Sequence, residues 1–204
     1  MANATGASPI APSVTANPAP LGLAGFGLTT VVLSAINAGL VSGDSATLLA
    51  VVVPLAFAFG GAAQMIAGIL EYGKGNTFGM VAFTSYGMFW WWYSLMLWTV
   101  GAGWIKPPAP NAVGLALAMW GVFTLYMWVS TFRASFTIWS VFLLLWITFF
   151  ALAGGDLGFG NAWHTAGGYL GLLTGIAALY ASFAEVTNAT FKRDVIPMGM
   201  PLVR

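Results

Sequence analysis

Six long apolar stretches alternate with short polar breaks along most of the chain. They run from Leu21 to Val41, Ala46 to Leu70, Phe78 to Val100, Ala112 to Val129, Phe136 to Leu152 and Trp163 to Ala184. The breaks are Ser42-Gly43-Asp44, Glu71 through Asn76, Lys106 through Pro110, the surroundings of Arg133, and Gly154-Gly155-Asp156. A helix needs about 20 apolar residues to cross the hydrocarbon of a bilayer. The pattern therefore predicts an all-α integral membrane protein with six transmembrane helices, and the short breaks make consecutive helices antiparallel neighbours. No internal repeat is evident, so an inverted-repeat transporter is not supported.

Helical spacing sorts each stretch into faces. In the second run Ala56, Gly60, Gln64, Gly68 and Glu71 fall on one side. Small residues there let helices approach closely, so Gln64 points into the bundle, either to bond a neighbouring helix or to line a path. The sixth run repeats the theme with Gly167, Gly171, Gly175, Ala178 and Ser182, a packing seam in which Ala178 is also placed to border a pore. The first run aligns Phe26, Thr30, Leu33 and Asn37, and the third aligns Tyr86, Trp90, Tyr93 and Leu97.

The first run starts from Asn17-Pro18-Ala19-Pro20. Pro disfavours helix in the residue before it. Asn17 and Ala19 are expected to be extended, with the helix beginning near Pro20 and Asn17 capping free N–H groups. A second reading is a helix N-terminus open toward an anion, favoured by those N–H groups and the dipole.

Composition and charge narrow the function. The 204 residues are 59% hydrophobic and 5% charged, whereas a soluble domain carries about 25% charged residues. There is no Cys, hence no disulfide framework or thiolate site. One His and five acids leave no clustered metal site, and no cofactor is implied. A net charge of +1 offers no basic patch for nucleic acid. Lys106 stands alone on one side of the predicted topology, against Lys74, Arg133, Lys192, Arg193 and Arg204 on the other. The positive-inside rule then places both termini in the cytoplasm. Residues 1–16 read as a disordered cytoplasmic tail, 17–187 as the membrane domain and 188–204 as a C-terminal cytoplasmic tail.

No ionisable residue falls at the middle of a span. Glu71 and Glu185 lie near the cytoplasmic ends and His164 near the outer end of the sixth run. Coupled pumps use intramembrane carboxylates or His as relays; this chain instead suits a narrow pore of hydroxyls, amides and rings. A carboxylic acid can carry its own proton through such a pore, because the neutral form desolvates far more cheaply than the anion.

Several blocks share an order with a known family. Asn17-Pro18-Ala19-Pro20-Leu21-Gly22-Leu23 with Gly25-Phe26-Gly27 resembles the first-helix signature of the acetate uptake transporter family, which includes the succinate–acetate permeases. Gly60-Gly61-Ala62-Ala63-Gln64 and Glu71-Tyr72 through Phe78 resemble its second-helix blocks, and Phe83 through Trp90 its third. Trp120-Gly121-Val122-Phe123-Thr124 resembles the fourth, and His164, Gly167-Gly168-Tyr169, Ala178 and Glu185 the sixth.

The resemblance implies a six-helix protomer in a homohexameric ring, with one pore per protomer, taking up acetate and other short monocarboxylates or succinate across the plasma membrane. It implies a hydrophobic constriction of Phe26, Tyr86 and an apolar residue of helix five. Leu145 is chosen by position, with Leu143 and Leu144 as alternatives. Asn17, Thr30, Asn37, Gln64, Asn76 and Ala178 are the candidates for substrate contact; Glu71, Glu185 and His164 are the candidates for a proton or charge role. An anion channel and a proton-linked transporter both fit. The alternative of another class is an acetate sensor or scaffold in the membrane; no nucleophile–base pair suggests an enzyme.

Overall fold

The computed structural model describes residues 15–203, so the tail expected over residues 1–16 lies outside the described residues but for its last two. Among the described residues every regular element is helical. Helix α1 spans Ala19–Asn37. Helix α2 (Ser45–Leu55) continues through a π-helical segment (Ala56–Ala63) into α3 (Gln64–Gly73), which together make one span. Helices α4 (Thr77–Gly101), α5 (Pro110–Ser130), α6 (Phe136–Gly154) and α7 (Asn161–Phe191) follow. A second π-helical turn, Gly155–Phe159, joins α6 to α7.

Five of the six spans are long and apolar enough to cross a membrane by hydropathy alone. The sixth, α4, contains no charged residue and its 25 residues extend roughly 37 Å. Its Trp, Tyr, Ser and Gly content lowers its hydropathy without shortening it.

Three boundaries differ from the sequence expectation. Ala19 is helical although it precedes Pro20, because Pro at the second helical position gives up an N–H that has no helical partner there. Helix α1 stops at Asn37 rather than Val41: Gly39 takes a left-handed φ of 74°, and the Leu40 N–H turns back to the Ala35 carbonyl. Helix α7 runs to Phe191, beyond the limit of 187. The segment after it packs back on the bundle, where the Thr137 N–H donates to the Met198 carbonyl and the Val203 N–H to the Phe132 carbonyl, both at 3.0 Å.

Pro54 accounts for the first π segment. Lacking an N–H, it cannot bond the carbonyl four residues back, and the ladder re-forms with a wider turn just beyond it. Ala56, Gly60, Gln64, Gly68 and Glu71 are nevertheless all buried, as their spacing predicts.

Helix α2 begins at Asp44, whose Oδ1 accepts the Thr47 N–H at 3.1 Å and whose Oδ2 accepts the Thr47 hydroxyl at 2.6 Å. The Thr47 hydroxyl, and next its N–H, hold the exposed Asp44 carboxyl below the usual carboxylate range. A lowered folded value means that the cap is fully present at neutral pH and is lost as pH falls through it. Asp44→Ala should speed amide exchange over Ala46–Leu48 at pH 7, and the difference from wild type should vanish in strong acid. Equal exchange at pH 7 would remove the cap from the account.

The spans close into a ring. Going round it, α4 packs on the α2–π–α3 span, that span on α1, α1 on α7, α7 on α6 and α6 on α5. The α1–α7 seam is the tightest, and Gly167, Gly171, Gly175, Ala178 and Ser182 are all buried along α7. Between α4 and α5 the ring is closed by aromatic side chains, with Tyr86–Trp120 at 6.0 Å and Phe89–Trp120 at 5.2 Å. Helices α1, α4 and α6 therefore face a common axis.

Candidate functional site: a line of cavities pinched at its centre

Four cavities lie end to end along that axis, each sharing lining residues with the next. The first, about 350 Å³, opens beside Ala19, Asn76, Arg133 and Glu185. Leu23, Phe78, Phe83 and Ile138 belong both to it and to the second, a chamber of about 40 Å³. Phe26 and Leu145 divide this chamber from a third of about 40 Å³, and no cavity crosses between them. Leu33, Asn37, Phe89 and Leu152 connect the third to a last cavity of about 220 Å³, which reaches Asp156 and His164.

The pinch is built from three helices. Phe26 of α1 and Tyr86 of α4 meet with ring centroids 5.8 Å apart. Leu145 of α6 is 4% exposed and touches both central chambers, whereas Leu143 and Leu144 line none of the four. The Tyr86 hydroxyl donates to Thr124 Oγ1 at 2.9 Å, so the ring presents carbon to the chamber. Volumes of this size admit a few water molecules or one small solute.

The polar candidates fall into different situations. Gln64 lines the second chamber, is 1% exposed, and its Oε1 accepts no hydrogen bond. Asn37 lines the third and fourth cavities. Thr30 lines the third, but its hydroxyl proton is given to the Phe26 carbonyl at 2.7 Å. Asn76 lines the first, yet its Oδ1 caps the Gly79 N–H and its Nδ2 donates to Glu71 Oε2. Ala178 is fully buried and lines none of the four. Its place on the α1–α7 seam is a packing position.

Asn17 also departs from the anion reading. Its Oδ1 accepts the Ala19 N–H at 3.3 Å and Lys74 Nζ at 2.7 Å, while its Nδ2 donates to Glu185 Oε2 at 2.7 Å. The Leu21 and Gly22 N–H groups turn to the Pro18 carbonyl, and Pro20 has none. The first turn thus has no free donor to offer an anion. Glu71 is fully buried beside Lys74, whose Nζ stands 3.7 Å from Oε2. Glu71 is in this way tied to Asn76, the N-cap of α4, and Glu185 to Asn17, just before α1; Asn76 and Glu185 line the first cavity.

Sequence reasoning missed Asp156, which stands 3.1 Å from His164 Nε2. It also passed over Thr148, one helical turn beyond Leu145 on the same face of α6 and part of the third chamber. That i, i+3 spacing was the available signal.

The chain is similar to known proteins over nearly its whole length. The GPR1/FUN34/yaaH family matches residues 2–200. The succinate-acetate/proton symporter SatP of Escherichia coli K12 is 41% identical over 184 residues, covering 90% of this chain and 95% of that protein. Acetate permease A of Emericella nidulans is 37% identical, over 90% of this chain and 66% of its own length. The solved structure of the bacterial acetate channel SatP superposes with a TM-score of 0.85 at 40% identity, over 91% of this chain and 99% of that one. The six-span ring, the blocks from Asn17 to Glu185 and these likenesses agree: the chain is a multi-pass membrane protein of the GPR1/FUN34/yaaH family.

Proposed function

We propose that this protein carries acetate, and other short monocarboxylates or succinate, across the plasma membrane through the line of cavities, and that it works as a homohexamer with a pore in each protomer. The termini and the Arg133–Glu185 cavity face the cytoplasm, in keeping with the distribution of basic residues. The observation that carries the reading is the row of four cavities pinched by Phe26, Tyr86 and Leu145. The names of the relatives, an acetate permease, a succinate-acetate/proton symporter and an acetate channel, support the substrate class and favour transport over catalysis.

A narrow apolar gate excludes hydrated ions. No charged side chain lines either central chamber, so an anion there gains no counter-charge for its lost water. The solute accordingly passes the gate as the neutral acid, with Gln64 and Asn37 offering hydrogen bonds on either side. Reconstituted in liposomes, the purified protein should take up labelled acetate faster than protein-free vesicles, driven by an imposed proton gradient and indifferent to a potassium–valinomycin voltage. Uptake that follows voltage without a proton gradient would mean conduction of the bare anion. No protein-dependent uptake would move the sensor or scaffold reading to the front.

A further inference from the structure

The cavity at the far end from the termini contains a pair that the apolar gate does not use. Asp156 and His164 meet at 3.1 Å, Nε2 to Oδ1, and both side chains line the 220 Å³ cavity. Two features of the backbone place them. Asp156 sits on the π-helical turn Gly155–Phe159, a wider turn of the kind often found at functional sites. The His164 ring rests against Gly155: a Cβ at that position would lie 2.3 Å from Cδ2 and 2.6 Å from Nε2. Any side chain at Gly155 would push the imidazole out of its place. The pair is therefore seated by the fold, half-shielded from solvent, at the threshold of the apolar segment.

Resting on the transport reading above, we propose that Asp156 and His164 form the station at which a carboxylate receives its proton before the gate, with His164 as the donor and Asp156 as its positioning residue. The balance is simple. With Nε2–H donated to Asp156, the transferable proton of the imidazolium is on Nδ1. It passes to an oxygen of the carboxylate held in the outer cavity, leaving the neutral acid and a neutral imidazole that still donates from Nε2. Water from the outer mouth restores the proton. The substrate loses its charge before its water is stripped away, and the Asp156 carboxylate, which stays ionised, keeps the hydrogen bond from Nε2–H. The other groups facing the pair leave this assignment intact. Helix α4 contributes Tyr93, a neutral phenol; α1 contributes the Asn37 amide; α5 contributes Val113 and Leu117; and α6 contributes Leu152. Asn37 lines the same cavity as the pair.

The test separates this station from uptake of acid already neutral in water. A small carboxylic acid titrates at about pH 4, so at every pH above that range its neutral form rises about tenfold for each unit of acidification and does not level off. A rate set by a proton donor on the protein instead levels off on acidification, once that donor is loaded. Initial uptake of labelled acetate at fixed total concentration is measured against external pH in sealed membrane vesicles of one orientation, with vesicles lacking the protein subtracted. Wild type should level off on acidification. His164→Gln, which keeps a donor to Asp156, should be slower by about tenfold or more at pH 7 and should rise without levelling. Asp156→Asn removes the carboxylate that seats the His164 ring and should move the plateau along the pH axis. His164→Gln with the wild-type rate and plateau, or a wild-type curve with no plateau, overturns the station and leaves transport standing. No wild-type uptake overturns both. Wild-type elution and melting of each variant exclude misfolding as the cause, and where His164→Gln fails that check the Asp156→Asn curve decides: an unmoved plateau overturns the station.

Discussion

Gly168→Ala should cost more stability than its single methyl suggests. A Cβ at Gly168 would lie 2.3 Å from the Ala38 nitrogen, 2.7 Å from the Ala38 Cα and 2.7 Å from the Asn37 carbonyl carbon. All three are backbone atoms, so no side-chain rotation makes room, and α1 must separate from α7 at the turn that ends α1. Overpacking that side chains can absorb costs about 1–3 kcal/mol; this case belongs at or above the upper end. Asn37 moves with that turn, so the outer two cavities should be distorted as well. The expected result is a melting temperature in detergent lowered by several degrees or a protein that does not survive extraction. Gly73→Ala is the control, since a Cβ there meets nothing within 4 Å; Ala in a helix is favoured over Gly by about 0.5–1 kcal/mol. Equal melting of the two variants would refute the seam.

The spans and their inward faces were legible because they depend on local rules. An apolar run of sufficient length, broken by Gly, Pro and charge, gives a membrane helix whatever it packs against. The small-residue spacing on the second and sixth runs found the buried faces for the same reason. What the sequence did not disclose depends on where a hydrogen bond is spent. Asn17, Thr30 and Asn76 read as free polar groups in a list of residues. In the folded chain Asn17 ties Lys74 to Glu185, Thr30 bonds its own helix, and Asn76 caps α4 while holding Glu71. Ala178 lies on the buried face of α7 and lines none of the four cavities. Which of Leu143, Leu144 and Leu145 lines the central chambers depends on the rotation of α6, which no local signal in a uniformly apolar helix reports. The π segment had one visible cause, Pro54, whereas the close approach of Gly60 to Thr29 and Trp90 and of Gly61 to Trp91 within it is tertiary.

Gln64→Met should separate function from packing by the sign of its effect. The Gln64 side chain is buried in the chamber below the Phe26–Leu145 pinch, where every other lining residue presents carbon, the Tyr86 hydroxyl being turned to Thr124. Its Oε1 accepts no hydrogen bond. A buried polar atom without a partner costs about 1–3 kcal/mol. Methionine matches the length of glutamine and removes that atom, so the variant should melt at the same temperature or higher. Acetate uptake should fall about tenfold or more, because the neutral acid loses a partner whose hydrogen bond is worth more than 1 kcal/mol in a dry chamber. A group retained at a cost to stability is explained when it serves the solute rather than the fold. If instead the variant melts lower and uptake declines only with the folded fraction, Gln64 is a packing residue and the chamber conducts without it.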